Sequence, residues 1–106
     1  MGWIYLLLAI LLEVSGTTCM KLSEGFTKTL PSVLLFVFYI LSFIAITFSL
    51  KTINVSVAYA IWSGVGTASI TIIGFLLFKE PVTAVKVISI ILIILGVVGL
   101  HMSSTN

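Results

Sequence analysis

The chain has 106 residues, 60% hydrophobic and 8% charged, and five lysines against three acids leave a formal charge of +2. Soluble domains carry about 25% charged residues, so this balance, with a mean hydropathy of +1.37, describes an integral membrane protein. The positive charge is too small and dispersed for a nucleic-acid surface. A single cysteine, Cys19, excludes an intrachain disulfide, and one histidine, His101, without an acid pair offers no metal site; no cofactor is implied.

Four apolar segments follow in chain order. The first, about 3–20, has no basic residue ahead of it and runs past the length of a signal's apolar core, so it reads as a retained helix. Leu6 stands where a myristoylation motif needs Ser or Thr. A connection from Lys21 to Pro31 leads to the second segment, 32–50; Lys51-Thr52-Ile53-Asn54 joins it to the third, 55–78; Lys79-Glu80-Pro81 precedes the fourth, 84–102. At 1.5 Å per residue each can cross a hydrocarbon core of about 30 Å. Pro31 and Pro81 are expected at the starts of the helices that follow, where a missing N–H does no harm. The tail Ser103-Ser104-Thr105-Asn106 reads as frayed. The expected architecture is all-α: a single four-helix transmembrane domain over residues 1–106, with the lipid bilayer as its surroundings. Lys21, Lys28, Lys79 and Lys86 fall at one end and Lys51 at the other, so the positive-inside rule favours the four-lysine end as cytoplasmic.

Glu13 stands apart from the other acids. Glu24 and Glu80 lie where the sequence turns polar, whereas Glu13 sits in the middle of the first span. A charge there costs about 2.5–3.5 kcal/mol on insertion scales and marks a functional site by default. No basic residue lies within the spans to pair with it. Since desolvation disfavours a charged carboxylate, the partners left are a proton or a bound cation. Ala9, Ile10, Gly16 and Thr17 share its helix face, a grouping that suits helix packing as well as a site.

The third segment repeats Ser56, Tyr59, Trp62, Ser63, Gly66 and Ser69 at helical spacing. Trp62 lies about 10 Å inside the end of its span, deeper than an interfacial belt residue, and its N–H needs a partner in a dry environment. Gly64 and Gly66 form either a bend or a packing notch. Tyr39, Ser42 and Phe43 make an aromatic and hydroxyl face on the second segment, a trio that also suits lipid contact. Ser89 and Gly96, seven apart, could form a helix–helix seam. Aromatic faces beside a carboxylate attract poorly hydrated organic cations, and an acid that holds either a proton or such a cation suffices for exchange. Four helices are too few to enclose a pathway, so at least a dimer is expected, with two coupled Glu13 side chains. A proton-conducting subunit would need no aromatic pocket, and a purely structural partner would leave Glu13 unexplained.

Over essentially its whole length the chain resembles the small multidrug resistance family of proton-coupled exporters. The motifs that carry the resemblance are Ala9-Ile-Leu-Leu-Glu13-Val-Ser-Gly16-Thr17, Met20-Lys21-Leu-Ser-Glu24-Gly25-Phe26-Thr27 and Ala58-Tyr59-Ala60-Ile61-Trp62-Ser63-Gly64-Val65-Gly66. It implies a multi-pass antiporter, not an enzyme, in the bacterial inner or plasma membrane, working as an antiparallel homodimer. Glu13 of both subunits would be the shared proton and substrate site. The resemblance places Tyr59, Trp62 and Ser63 in or around the pocket, with Tyr39, Ser42 and Phe43 from the second helix. It makes Gly64 to Gly66 a conformational bend, and the fourth helix a dimer seam. Gly16-Thr17 matches the branch that exports quaternary ammonium and other hydrophobic cations; the guanidinium-exporting branch, the alternative reading, usually has Trp in place of Gly16. Ser89 departs from the glycine often found in the seam. The lysine asymmetry departs from what dual insertion needs, which leaves open a paired heterodimer.

Overall fold

The computed structural model describes residues 1–104. Its helices are α1 (Gly2–Leu22), α2 (Thr29–Ser49), α3 (Val55–Leu76) and α4 (Ala84–Ser104), all long and apolar enough to span a membrane. In hydrocarbon no water can satisfy backbone N–H and C=O groups, so a segment of this apolarity must close its hydrogen bonds internally, as a helix does. The four expected spans are therefore the four observed helices, with differences at their ends.

The end of α3 and the start of α4 are set by local contacts. α2 begins at Thr29, ahead of the expected 32, which places Pro31 within the first turn, where an N–H would have no intrahelical acceptor. α3 stops at Leu76, short of 78, because the chain folds back over its end. The Gly74 carbonyl accepts the Glu80 N–H at 3.0 Å, Lys79 takes a left-handed conformation (φ 54°), and the Glu80 carboxylate lies against Gly74, where a side chain would collide with it. Pro81 does not open α4 and lies in the connection before it. Thr83 caps that helix instead, its Oγ1 accepting the Lys86 N–H at 3.2 Å and its carbonyl accepting the Val87 N–H at 3.0 Å. Ser103 and Ser104 continue α4 where fraying is expected; Thr105 and Asn106 lie outside the described residues.

Between α1 and α2, the buried Ser23 anchors a tight turn. Its carbonyl accepts the Thr27 and Lys28 N–H groups at 2.9 and 3.1 Å, while Glu24, Gly25 and Phe26 are all left-handed. The exposed Lys28 Nζ lies 2.9 Å from Glu24 Oε2, and this hydrogen bond and charge hold the Glu24 carboxyl below its usual range.

α1 packs between α2 and α3, and α4 packs on α3. The result is a slab with principal extents of 46 × 35 × 16 Å. Leu6, Ile10 and Val14 of α1 meet Val57, Ala58 and Ile61 of α3 around Ile53, and Val97 and Leu100 of α4 close over that cluster. Helices in lipid gain little from hydrophobic burial and rely on close packing and interhelical hydrogen bonds. The α1–α2 contact uses both: Ala9 is fully buried and its carbonyl accepts the Ser42 hydroxyl at 2.7 Å, with Ser42 itself at zero exposure.

Ser42→Ala removes that bond and is expected to destabilise the protein by about 0.6–1.7 kcal/mol, measured by denaturant titration in mixed micelles. The Glu24–Lys28 contact forms in the neutral range. It is lost as pH falls through the lowered Glu24 value, because a depressed folded-state pKa contributes only above the titration. Carboxyl ¹³C shifts of Glu24 in wild type and Lys28→Ala check this: the variant should titrate at higher pH.

Candidate functional site

Glu13 lies about 16 Å along α1 from its start at 1.5 Å per residue, half-buried where α1 meets its two neighbours. Its two oxygens face different partners. Oε1 accepts the Thr17 hydroxyl at 2.9 Å, one turn further along α1. Thr17 Oγ1 also lies 2.6 Å from the Tyr39 hydroxyl of α2. Oε2 lies toward α3, where a Cβ built on Gly66 would stand 2.7 Å from it. Gly66 is therefore the residue that lets α3 approach the carboxylate.

On the α3 side a recess of about 170 Å³ is lined by Glu13, Trp62, Ser63, Gly66, Thr67 and Ile70. An aromatic row runs beside it. Tyr39 stacks with Phe43 (centroids 6.3 Å apart), Phe43 meets the Trp62 ring edge-on at 6.3 Å, and Trp62 leans on Tyr59 at 5.6 Å. The Trp62 Nε1–H is buried without a hydrogen-bond partner. A donor left unmade in a dry setting is costly.

The candidate residues separate into three groups. Glu13, Trp62, Ser63 and Gly66 line the recess, and Thr17, Tyr39, Phe43 and Tyr59 adjoin it through the carboxylate or the aromatic row. Ala9, Ile10 and Ser42 lie between helices: the Ser42 hydroxyl donates to the Ala9 carbonyl, and Ile10 sits in the α1–α3 cluster. Gly16 faces α2, where a Cβ would lie 3.2 and 3.3 Å from the Tyr39 ring. Gly64 faces α4, where a Cβ would lie 2.8 Å from Val97 Cγ2, and α3 is continuous through both Gly64 and Gly66. Ser89 and Gly96 are exposed on α4, with open space around the Gly96 Cα. Sequence reasoning passed over Thr67 and Ile70. Both lie four residues beyond Ser63 and Gly66, so extending the helical period by a turn would have found them.

Several hydroxyls of the spans bond back to their own helix, as Ser15 does to Leu11, Thr18 to Val14, Thr47 to Phe43, Ser63 to Tyr59 and Thr71 to Thr67. Among the described residues no group of three or more His, Cys, Asp or Glu side chains could hold a metal ion.

Four helices able to span a membrane, one of them carrying a carboxylate in its middle, define a small multi-pass membrane protein. The family model described as Small Multidrug Resistance protein matches residues 1–93, and the chain belongs to that family. It is 59% identical over 102 residues to the uncharacterized membrane protein YvaE of Bacillus subtilis, covering 96% of this chain and 86% of that protein. It is 50% identical over 105 residues to the multidrug resistance protein EbrB of the same organism, covering 99% and 90%. It is 43% identical over 103 residues to the quaternary ammonium compound-resistance protein QacE of Escherichia coli, covering 97% and 94%.

Gly66→Ala should shift the carboxyl ¹³C resonance of selectively labelled Glu13, because the new methyl meets Oε2. Gly99→Ala should leave it in place, since nothing lies within 4 Å of a Cβ there. An unmoved resonance in Gly66→Ala would contradict the close approach of α3.

Proposed function

We propose that the chain is a proton-coupled antiporter exporting hydrophobic and quaternary ammonium cations, with protons and substrate competing for Glu13. The observation that carries this reading is a membrane-embedded carboxylate that forms no ion pair among the described residues. The Glu13 side chain is held by a hydroxyl alone, and its other oxygen lies toward a recess beside an aromatic row. Carboxylate and aromatic faces together attract organic cations, and in a low dielectric a single carboxylate holds either a proton or the cation. The names of EbrB and QacE, which specify multidrug and quaternary ammonium resistance, support the same substrate class.

The working unit is proposed to be an antiparallel homodimer. A recess of about 170 Å³ is smaller than the roughly 300–1,000 Å³ of small-molecule sites, so a second copy would complete it and bring its own Glu13. A slab 16 Å thick is little more than one helix diameter of about 10–12 Å, too thin to enclose a pathway. The exposed face of α4 around Ser89 and Gly96 offers small residues for the seam. Gly64 and Gly66, side by side with the α4 and α1 contacts of α3, are proposed as the place where α3 bends between inward- and outward-open states. Guanidinium export is the second reading. Gly16 disfavours it, because in this chain the space beside α1 is filled by the Tyr39 ring.

Reconstituted protein should take up tetraphenylphosphonium when a pH gradient is imposed, and Glu13→Gln should reduce uptake to that of empty vesicles. Uptake that persists in Glu13→Gln would overturn the mechanism. Guanidinium currents larger than tetraphenylphosphonium currents in the same preparation would select the second reading.

A further inference from the structure

We propose that Tyr39 and Thr17 form a directed hydrogen-bond relay that fixes the position of one oxygen of the Glu13 carboxylate, and that Gly16 is the spacer that makes the relay possible. The inference rests on the reading of Glu13 as the exchange site and deepens it by assigning two positioning residues and one enabling glycine.

The direction of the relay follows from donor counting. An ionised carboxylate only accepts, and a threonine hydroxyl has one hydrogen to give. Thr17 gives its hydrogen to Glu13 Oε1 at 2.9 Å. The 2.6 Å contact between Thr17 Oγ1 and the Tyr39 hydroxyl then has Tyr39 as donor. The chain runs from Tyr39 O–H to Thr17 Oγ1, and from Thr17 O–H to Oε1. It joins α2 to a carboxylate on α1, and successive bonds of this kind polarise and strengthen one another. Bonds to an ionised acceptor are stronger than neutral ones.

The relay also divides the carboxylate. Oε1 is engaged from the α2 side, while Oε2 lies against Gly66 toward the recess. The exchangeable proton or cation is assigned to Oε2, and Oε1 is the fixed end. Around Glu13, α2 contributes Tyr39 as its titratable group, and α3 contributes Trp62, Ser63, Gly66 and Thr67, none of them charged. No lysine of the described residues forms an ion pair with Glu13; the one salt bridge among them is Lys28–Glu24.

Gly16 enters through packing. A Cβ at this position would press on Cδ1 and Cε1 of the Tyr39 ring at 3.2 and 3.3 Å. A bulky side chain would displace the ring and carry its hydroxyl away from Thr17. Residue 16 therefore acts on the carboxylate through Tyr39, in addition to any effect on the space around it.

The test is the carboxyl ¹³C resonance of labelled Glu13 in the full-length protein in bilayers at fixed pH. Thr17→Val should move the resonance, since the bond to Oε1 is lost. Tyr39→Phe, which keeps the ring, should move it the same way by less. The double variant should match Thr17→Val, because Tyr39 acts only through Thr17. Thr17→Ser should restore the wild-type resonance, which a purely structural role for the methyl group would not. A Thr17→Val resonance that superimposes on wild type, or additive shifts in the double variant, would overturn the relay. Tetraphenylphosphonium binding followed across a pH series separates the two readings: absence of proton competition in wild type would sink exchange at Glu13 without touching the resonance result.

Discussion

The arrangement turns on one constraint: a carboxylate placed where there is no water must be satisfied by the protein around it. Glu13 forms no ion pair among the described residues, so the Thr17 hydroxyl, backed by Tyr39, holds one oxygen and glycine clears a path to the other. Several features that look independent in the sequence serve this one residue. Thr17 is placed one helical turn away, Gly16 admits the ring that reaches Thr17, and Gly66 admits α3. Each is small or carries a short hydroxyl side chain, because the helix backbones must come close before a side chain of that length can bridge them.

The same constraint shapes the remainder of the fold. In a bilayer, burying leucine between helices gains little over leaving it in lipid, so the many exposed Leu, Ile, Val and Phe side chains are ordinary. Association is instead directed by fit and by hydroxyls: Ser42 to the Ala9 carbonyl, and Thr17 to Tyr39. The slab that results leaves α4 packed on α3 with a small-residue face uncovered. Its recess is small and lined in part by Trp62, whose buried indole N–H has no acceptor among the described residues. Half-satisfied groups of this kind are inexpensive to keep only where something else completes them, which is the physical basis for reading the chain as one half of a site.

Much of this was legible from residue order. Apolar runs long enough to cross a membrane, interrupted by short polar connections, leave the chain no choice but helices, since only helices or closed barrels satisfy every backbone group in lipid. Glu13 announced itself through its cost, and Trp62 through its depth. The helical period placed Ser63 and Gly66 with Trp62 on one face and, extended by a turn, would have added Thr67 and Ile70. Pro81 misled because proline is tolerated both in the first turn of a helix and in the connection before it, and Thr83 supplied the cap. The end of α3 was missed for a similar reason: Gly74 and Glu80 are adjacent only once the chain has folded back.

The sequence by itself determined the class of protein, the number of spans, the lone intramembrane acid and the family, because hydropathy and motif are properties of residue order. Only the tertiary structure decided which hydroxyls cross between helices. Ser42, Ser63 and Thr17 look alike on a helical wheel, yet Ser42 bonds the Ala9 carbonyl, Ser63 bonds its own helix, and Thr17 bonds the carboxylate. A short hydroxyl side chain can always turn back to its own helix; whether it does depends on how near the next backbone lies. That distance is set by pairs such as Gly16 with Tyr39 and Gly66 with Glu13, which exist only after the helices have packed.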